Sequence, residues 1–321
     1  MNLFTHINVT TEAEATAALA KGKTQVIAGG TDLLCYLRNM CSPNPPETLV
    51  NIKTIPDMAY IKEEGGMLKI GALTTLTAIA KSSVVGGNYA ALAQAALAAA
   101  SPELRNVGTI GGNICQKSRC LYYRFEYNEF PCLRKDPSGI CYALLGVDKD
   151  CSIFGAAEGC VAVCPSDTAP TLVALKGKIV TSKKTWEAAD FFVIKGEQIN
   201  SLDADEIVTE IQVPTPAAGT KSAYKKFAFR KAIDFPVVSC AAVITSSGGT
   251  VTAAGIVLGG VHNSPRVATA AQDSITGEAI NATTAEAAGT AATTGAVALN
   301  KNKYKIQLAK AMVKRALLAT A

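Results

Sequence analysis

Hydrophobic and polar positions in the first 55 residues alternate in short blocks, as strands and helices do when they exchange along a chain. Residues 11–19 predict a helix, with Thr10 or Thr11 as its N-cap, and 24–28 predict a short buried strand that stops at Gly29-Gly30. A helix over 31–39 and a strand over 49–52 follow, then a strand over 67–70, Gly71, and a helix over 76–81. Residues 89–100 are the most apolar stretch, rich in alanine. They predict a helix with few large side chains that packs closely against a neighbour. Residues 105–113 read as a glycine-punctuated loop or edge strand.

Residues 114–165 break this rhythm. Cysteines, aromatics, prolines and charges mix with no period of 2 or 3.6, and a loop of this length inside a compact domain is usually functional. The α/β pattern resumes at 168–175 and runs to about residue 216. Strands are then predicted at 223–230, 239–245 and 251–258, the last two joined by the turn Ser246-Ser247-Gly248-Gly249. Alanine-rich helices at 283–299 and 304–319 end the chain, and 214–219 is the best linker. No repeat at a solenoid period is evident.

A chain of 321 residues suits two or three domains, and 49% hydrophobic with 18% charged residues marks a globular protein. The net charge of +5, with no Lys/Arg run, does not argue for nucleic acid. The N-terminus carries neither a basic segment nor a long apolar one, so no signal peptide is expected. No apolar stretch reaches the roughly 20 residues that a bilayer requires. A soluble, reducing compartment is the default: cytoplasmic, or periplasmic if a partner carries the chain out. Seven of the ten cysteines (115, 120, 132, 141, 151, 160 and 164) crowd into 50 residues. In a reducing compartment, such a cluster points to metal or redox chemistry before disulfides.

Three segments can hold a phosphate-bearing ligand. Val26-Ile27-Ala28-Gly29-Gly30-Thr31-Asp32 follows a strand and opens a helix, where paired glycines let backbone N–H groups approach an anion. Alone it also reads as a plain strand-to-helix turn. Gly108-Thr109-Ile110-Gly111-Gly112-Asn113 carries three glycines, a hydroxyl and an amide. Two such loops in one α/β domain suggest closure on one ligand. In Ser166-Asp167, the carboxylate can accept from a sugar hydroxyl, or cap the helix that follows. The cysteine spacing contains no C-x-x-C, and the chain has only two histidines, so a zinc ribbon or finger is not expected. Thiolates at irregular spacing still serve an iron–sulfur cluster when a folded loop gathers four of them. Tyr122, Tyr123, Phe125, Tyr127 and Phe130 would shield such a cluster or form the core of the insertion.

Together these motifs resemble the flavin-binding medium subunit of the molybdenum hydroxylases, the xanthine dehydrogenase and carbon monoxide dehydrogenase family. Ala28 to Leu33 looks like its first FAD loop, Ile70-Gly71-Ala72 like a strand end, and Arg105 to Asn113 like its second FAD loop. Ser166-Asp167-Thr168-Ala169-Pro170 resembles the segment whose Asp contacts the flavin. Tyr224-Lys225-Lys226, with Arg230 and Asp234, resembles the lysine-bearing strand beside the flavin ring. The insertion resembles the [4Fe-4S] loop in the flavin subunits of bacterial aldehyde oxidoreductase and 4-hydroxybenzoyl-CoA reductase.

The resemblance implies an α+β fold. A two-part FAD-binding domain of the vanillyl-alcohol oxidase/PCMH type carries the iron–sulfur insertion, and an α+β domain of the CO dehydrogenase flavoprotein C-terminal type follows. Expected boundaries are 1–55 and 56–216 for the two FAD-binding parts, 114–165 for the insertion and 217–321 for the last domain. Implied cofactor contacts are Ile27, Ala28, Gly29, Gly30, Thr31, Asp32, Leu33, Thr109, Gly111, Gly112, Asn113, Asp167, and Lys225 or Lys226. Implied cluster ligands are Cys120, Cys132, Cys141 and Cys160, with Cys164 as the most credible substitute. No residue of the chain is expected to act on the organic substrate, which would react on a molybdopterin-binding large subunit. A small [2Fe-2S] subunit would exchange electrons with FAD, and FAD with an external acceptor. Reversed flow, as in a 4-hydroxybenzoyl-CoA reductase, is the alternative. A flavin oxidase acting alone would need an acid/base constellation that this sequence does not offer.

Overall fold

The computed structural model describes residues 2–321. The chain forms three sheets, and each is held by a different stretch of sequence. In the first, β1 (Thr5–Asn8), β2 (Thr24–Ile27) and β3 (Thr48–Asn51) pair in parallel, in the order β1-β3-β2. The connections are α1 (Glu12–Leu19) and α2 (Leu33–Arg38). Thr11 caps α1 by accepting from Glu14 N at 3.1 Å, one of the two caps expected.

The second sheet gathers β4 (Ile61–Glu64) and β5 (Met67–Gly71) early in the chain. Six short helices follow: α3 (Leu76–Lys81), α4 (Ser83–Asn88), α5 (Ala90–Ala98), α6 (Pro102–Val107), α7 (Ile110–Cys115) and, within the insertion, α8 (Tyr142–Leu145). After α9 (Ala169–Ala174) the sheet is completed by β6 (Lys178–Thr181), β7 (Thr185–Glu187), α10 (Ala188–Phe191) and β8 (Val208–Pro214). Its strands are antiparallel, in the order β4-β5-β8-β6-β7.

Residues 105–113 are therefore not an edge strand. They span the end of α6 and the start of α7, with Gly108-Thr109 as the break between them. Ser101 and Thr109 cap the two helices and Pro102 sits at the first position of α6, signals that outweigh the loop reading of three glycines.

The third sheet holds β9 (Thr220–Phe227), β10 (Val238–Ser247), β11 (Thr250–Gly259) and β12 (Arg266–Val267) in the order β12-β11-β10-β9. Gly248 and Gly249, both at positive φ, make the two-residue turn between β10 and β11. Helices α11 (Thr269–Ile275), α12 (Ala282–Ala291) and α13 (Tyr304–Leu318) pack on it. Helix α12 ends eight residues before the expected 299, at a run of turns through Gly295. Among the described residues, no helix is long and apolar enough to cross a membrane.

Helix α5 packs against the third sheet. Ala91, Ala95 and Ala96 are fully buried, and the small side chains bring its backbone against β9. Ala91 N donates to Ser222 Oγ at 3.1 Å, and Tyr224 N donates to Gln94 Oε1 at 2.9 Å.

The insertion is closed at its base. Asn113 Oδ1 accepts from Ser166 Oγ and Thr168 Oγ1, both at 2.7 Å. It is clamped at its far side by the start of α13: the buried Lys305 ammonium donates to the carbonyls of Asp150, Cys151 and Gly260 at 3.0, 2.9 and 2.6 Å. Asp148 receives the backbone N–H groups of Asn300 and Lys301, both at 2.8 Å.

Candidate functional site

The two glycine loops meet. A Cβ on Gly29 would overlap the carbonyl oxygen of Val107, and a Cβ on Gly108 would stand 3.6 Å from Thr31 Oγ1. Gly29 is thus required by the approach of one loop to the other, and Gly30 by its φ of +70°. The second loop is fixed from behind: Leu76 N donates to Gly108 O at 2.9 Å, Ile110 N to Thr74 O at 3.0 Å, and Gly111 N to Ala72 O at 3.0 Å. Thr109 Oγ1 accepts from Gly112 N at 3.1 Å. Thr31 and Gly112 stay exposed at the junction, whereas Ile27, Thr109 and Gly111 are buried.

Asn113 ties this junction to the Ser166–Thr168 segment. There the helix-cap role falls to Ser166, whose Oγ accepts from Ala169 N at 3.0 Å. Asp167 is turned the other way, into the space between α5 and β9. Its Oδ1 accepts from Tyr224 Oη at 2.6 Å, and its Oδ2 lies 3.1 Å from Lys226 Nζ, which also donates to Ala98 O at 3.0 Å. Burial lifts the Asp167 carboxyl above its usual range, while Lys226 and Tyr224 pull it back down. Residues 224 and 226 share one face of β9, and residue 225 lies on the other. Lys226, not Lys225, therefore belongs to this constellation.

Asp32 and Leu33 end the first loop, but Asp32 faces the insertion. Arg119 and Arg124 reach its Oδ1 at 2.6 and 2.7 Å, and Lys117 N donates to Oδ2 at 3.0 Å. A second link lies alongside. Tyr36 on α2 stacks on Tyr123 of the insertion, with ring centroids 5.5 Å apart. Both hydroxyls donate to Glu197 Oε2, at 2.6 and 2.9 Å, and Lys117 Nζ lies 2.9 Å from the same atom. Burial works to raise Glu197, but Lys117 and the tyrosine hydrogen bonds outweigh it and hold the carboxyl below its usual range. Sequence reading did not single out Glu197. It stands 161 positions from Tyr36, in an ordinary polar turn, with no local signal.

In the insertion, Cys120, Cys132, Cys141 and Cys160 line one cavity, together with Tyr122, Tyr123, Leu133, Arg134 and Tyr142. Tyr122, Phe130 and Tyr142 pack edge-to-face or stacked around it, and Phe125 packs edge-on against Phe130, whereas Tyr127 is 72% exposed. The other three cysteines do not line the cavity, although Cys151 packs against Tyr122, Cys141 and Ala143, which do. Cys164 is in the main core, Cys115 packs against that core, and Cys151 packs with Ala143 and Val161. Cys164 is not among the residues that line the cavity. The four thiols share this lining. Among the described residues, no three His, Cys, Asp or Glu side chains converge as ligands of a metal ion. Burial raises the Cys120 thiol to about 11, with Cys160 and Cys132 adding to the effect.

Apposed glycine loops in a two-sheet α+β frame, with a third sheet supplying a lysine, occur here in a chain whose family matches make it a FAD-binding oxidoreductase subunit. Residues 3–216 match the family described as the FAD binding domain in molybdopterin dehydrogenase, and 222–320 match the CO dehydrogenase flavoprotein C-terminal domain. The chain belongs to the FAD-binding medium subunits of the xanthine dehydrogenase and CO dehydrogenase family, the molybdenum hydroxylases. It is 33% identical over 275 residues to the aldehyde oxidoreductase FAD-binding subunit PaoB of Escherichia coli K12, covering 83% of each chain. It is 29% identical over 312 residues to the carbon monoxide dehydrogenase medium chain of Hydrogenophaga pseudoflava, covering 95% of this chain and 93% of that one. A solved structure of carbon monoxide dehydrogenase from that organism superposes with a TM-score of 0.76 at 28% identity, covering 99% of this chain and 97% of the other.

Proposed function

We propose that this chain is the FAD and iron–sulfur electron-transfer subunit of a molybdenum-containing aldehyde or xanthine-type oxidoreductase. The observation that carries the iron–sulfur part is the meeting of Cys120, Cys132, Cys141 and Cys160 on one cavity. A single ion draws its sulfurs to about 2.3 Å from one centre. A [4Fe-4S] cube takes one thiolate on each iron, so its ligands surround a volume. Four thiols on one cavity lining, beside Tyr122, Tyr123 and Tyr142, are the number that the second arrangement needs.

FAD, when bound, exchanges one or two electrons and so joins one-electron centres to a two-electron acceptor. The chain's share is to bind and to exclude water. Backbone N–H groups of the segment from Ile27 to Leu33 would meet the pyrophosphate, with the Thr31 and Thr109 hydroxyls as further donors. The N–H groups of Gly111, Gly112 and Asn113 are held by Ala72 O, Thr109 Oγ1 and Thr109 O, so that loop would meet the ligand by shape and by its Thr109 and Asn113 side chains. Lys226 would place its ammonium on the ring side, anchored by Asp167 and the carbonyl of Ala98. Asp167 would then orient the lysine as well as any flavin contact of its own. Asp32 would act at one remove, holding the insertion against the first loop.

Several relatives are named medium chains, which supports a large and a small partner subunit. On our reading these would be a molybdopterin-binding large subunit, where the organic substrate reacts, and a small subunit with [2Fe-2S] centres. An external acceptor completes the path. Residues 1–55 and 56–216 would act as the two parts of the FAD-binding domain, with 114–165 as the cluster insertion, and 217–321 as the closing domain. The complex would work in the cytoplasm, or in the periplasm if a partner carries the export signal.

The test is purification under anaerobic conditions with metal and flavin analysis. About four iron and four sulfide per chain, with one flavin whose absorbance near 450 nm bleaches on reduction, are expected. Zinc in place of iron overturns the cluster, and absence of a bleachable flavin overturns the electron-transfer role.

A further inference from the structure

Arg134 is the only arginine among the described residues that the fold buries, at 4% exposure. Its Nε and Nη2 donate to the carbonyl oxygens of Gly196 and Gln198, and its Nη1 points at Cys160 Sγ, 3.9 Å away. Its neighbours Lys117, Arg119 and Arg124 each have a carboxylate partner. Arg134 has none within 4.0 Å among the described residues. A buried cation without a counter-charge costs several kcal/mol, and carbonyl dipoles offset only part of that. The space this guanidinium lines is the one also lined by Cys120, Cys132, Cys141 and Cys160. Four thiolates on an iron–sulfur core supply the negative charge that the protein otherwise withholds.

We propose that Arg134 sets the reduction potential of the cluster held in this cavity, a step that rests on the cluster reading above. One-electron reduction adds one negative charge to the occupant. A fixed positive charge beside it stabilises the reduced form more than the oxidised one, and an N–H donated to a ligating sulfur acts in the same direction. The planar fork is held by two backbone carbonyls, so the charge keeps its place in either state. Those carbonyls belong to the turn that also presents Glu197 to Tyr36 and Tyr123. One turn thereby fixes both the cation at the cluster cavity and the helix that follows the first glycine loop.

The test is a potentiometric titration of the purified full chain, or of its complex, followed by EPR and paired with iron and sulfide analysis. Arg134→Met is expected to keep about four iron and to move the cluster midpoint to more negative potential by a factor of ten or more in the equilibrium constant, about 59 mV. Arg134→Lys, which keeps the charge, is expected to recover at least half of that shift. An unchanged midpoint in Arg134→Met with full iron overturns the proposal and leaves the cluster reading standing. An equal shift in Arg134→Lys overturns it as well, because charge is then not the cause. If Arg134→Met loses iron, Arg134→Gln is read in its place. Loss of iron in both neutral variants makes the residue structural and overturns the proposal. A wild-type chain without iron and sulfide removes the cluster reading itself, and the proposal with it.

Discussion

Lys226 and Asp167 stand 59 positions apart in the chain and 3.1 Å apart in the fold. Their side chains are 8% and 4% exposed. The pair joins the third sheet to the segment that follows the insertion, so the lysine of the last domain is held by the FAD-binding domain itself. Strand alternation decides which of two adjacent lysines takes this place: Tyr224 and Lys226 face Asp167, and Lys225 does not.

Replacing one member of that pair strands the other. Lys226→Met leaves a buried carboxylate with only the Tyr224 hydroxyl, and breaking such a pair costs about 3–5 kcal/mol. Lys225→Met is expected to stay within about 0.5 kcal/mol, as surface changes do. Denaturant unfolding of the two variants, under the same flavin load, measures the difference. Equal losses would place both lysines in the same environment and refute the alternation argument.

Gly29 and Gly112 make a second contrast. A methyl group on Gly29 collides with the backbone of Val107, and neither loop can yield without moving the other. Gly29→Ala is expected to cost about 1–3 kcal/mol through overpacking and to weaken FAD retention at least tenfold. A methyl group on Gly112 meets only Thr109 Oγ1, at 3.1 Å. Gly112→Ala is expected to keep its fold, as read by thermal unfolding of the flavin-free chain. Flavin content after gel filtration reads the Gly29 effect.

The cysteines divide in the same way. Cys120→Ser, Cys132→Ser, Cys141→Ser and Cys160→Ser are each expected to lower iron content well below four per chain and to abolish the low-potential EPR signal. Cys115→Ser, Cys151→Ser and Cys164→Ser are expected to keep both, since Cys115 and Cys164 pack in the main core and Cys151, though it touches the lining residues Tyr122, Cys141 and Ala143, does not itself line the cavity. Loss of the signal in Cys151→Ser alone would mean that the ligand set is wrong.

Much of this arrangement was legible in the residues. The helix over residues 12–19, the short strand that stops before Gly29-Gly30, the alanine helix α5 and the β10–β11 hairpin follow from period, capping and turn chemistry, all of which act locally. The four cysteines that the resemblance implies as cluster ligands share one cavity lining. What stayed hidden was nonlocal. Asp32 reads as part of a phosphate loop, yet its carboxylate is spent on Arg119 and Arg124, about 90 positions away. Glu197, Arg134 and Lys305 carry no local signature, because a buried charge is recognised only by what surrounds it. The 105–113 segment misled because its glycines suggest a loop, while Ser101, Pro102 and Thr109 cap two short helices.

Lys305 gives the fold a dependence on pH. Its ammonium is fully buried against three carbonyls, and burial, partly opposed by Asp150 and Cys151, lowers it to about 8. A lysine in the unfolded chain titrates near 10.4. Between these values the unfolded state binds the proton and the native state does not. Stability contributed at this site therefore rises as pH increases from about 8 to about 10.4, and is lowest below 8. The span of roughly two and a half units corresponds to about 3 kcal/mol. Lys305→Met removes the titration and strands the carbonyls of Asp150, Cys151 and Gly260, which should loosen the clamp on the insertion at every pH. The measurement is the unfolding free energy of wild type minus that of Lys305→Met, taken in steps from pH 7 to 10.5. A difference that grows with pH supports a lysine buried against its charge. A difference that is flat, or that shrinks, means the ammonium is held protonated by its three acceptors, and then the clamp does not tighten in alkali.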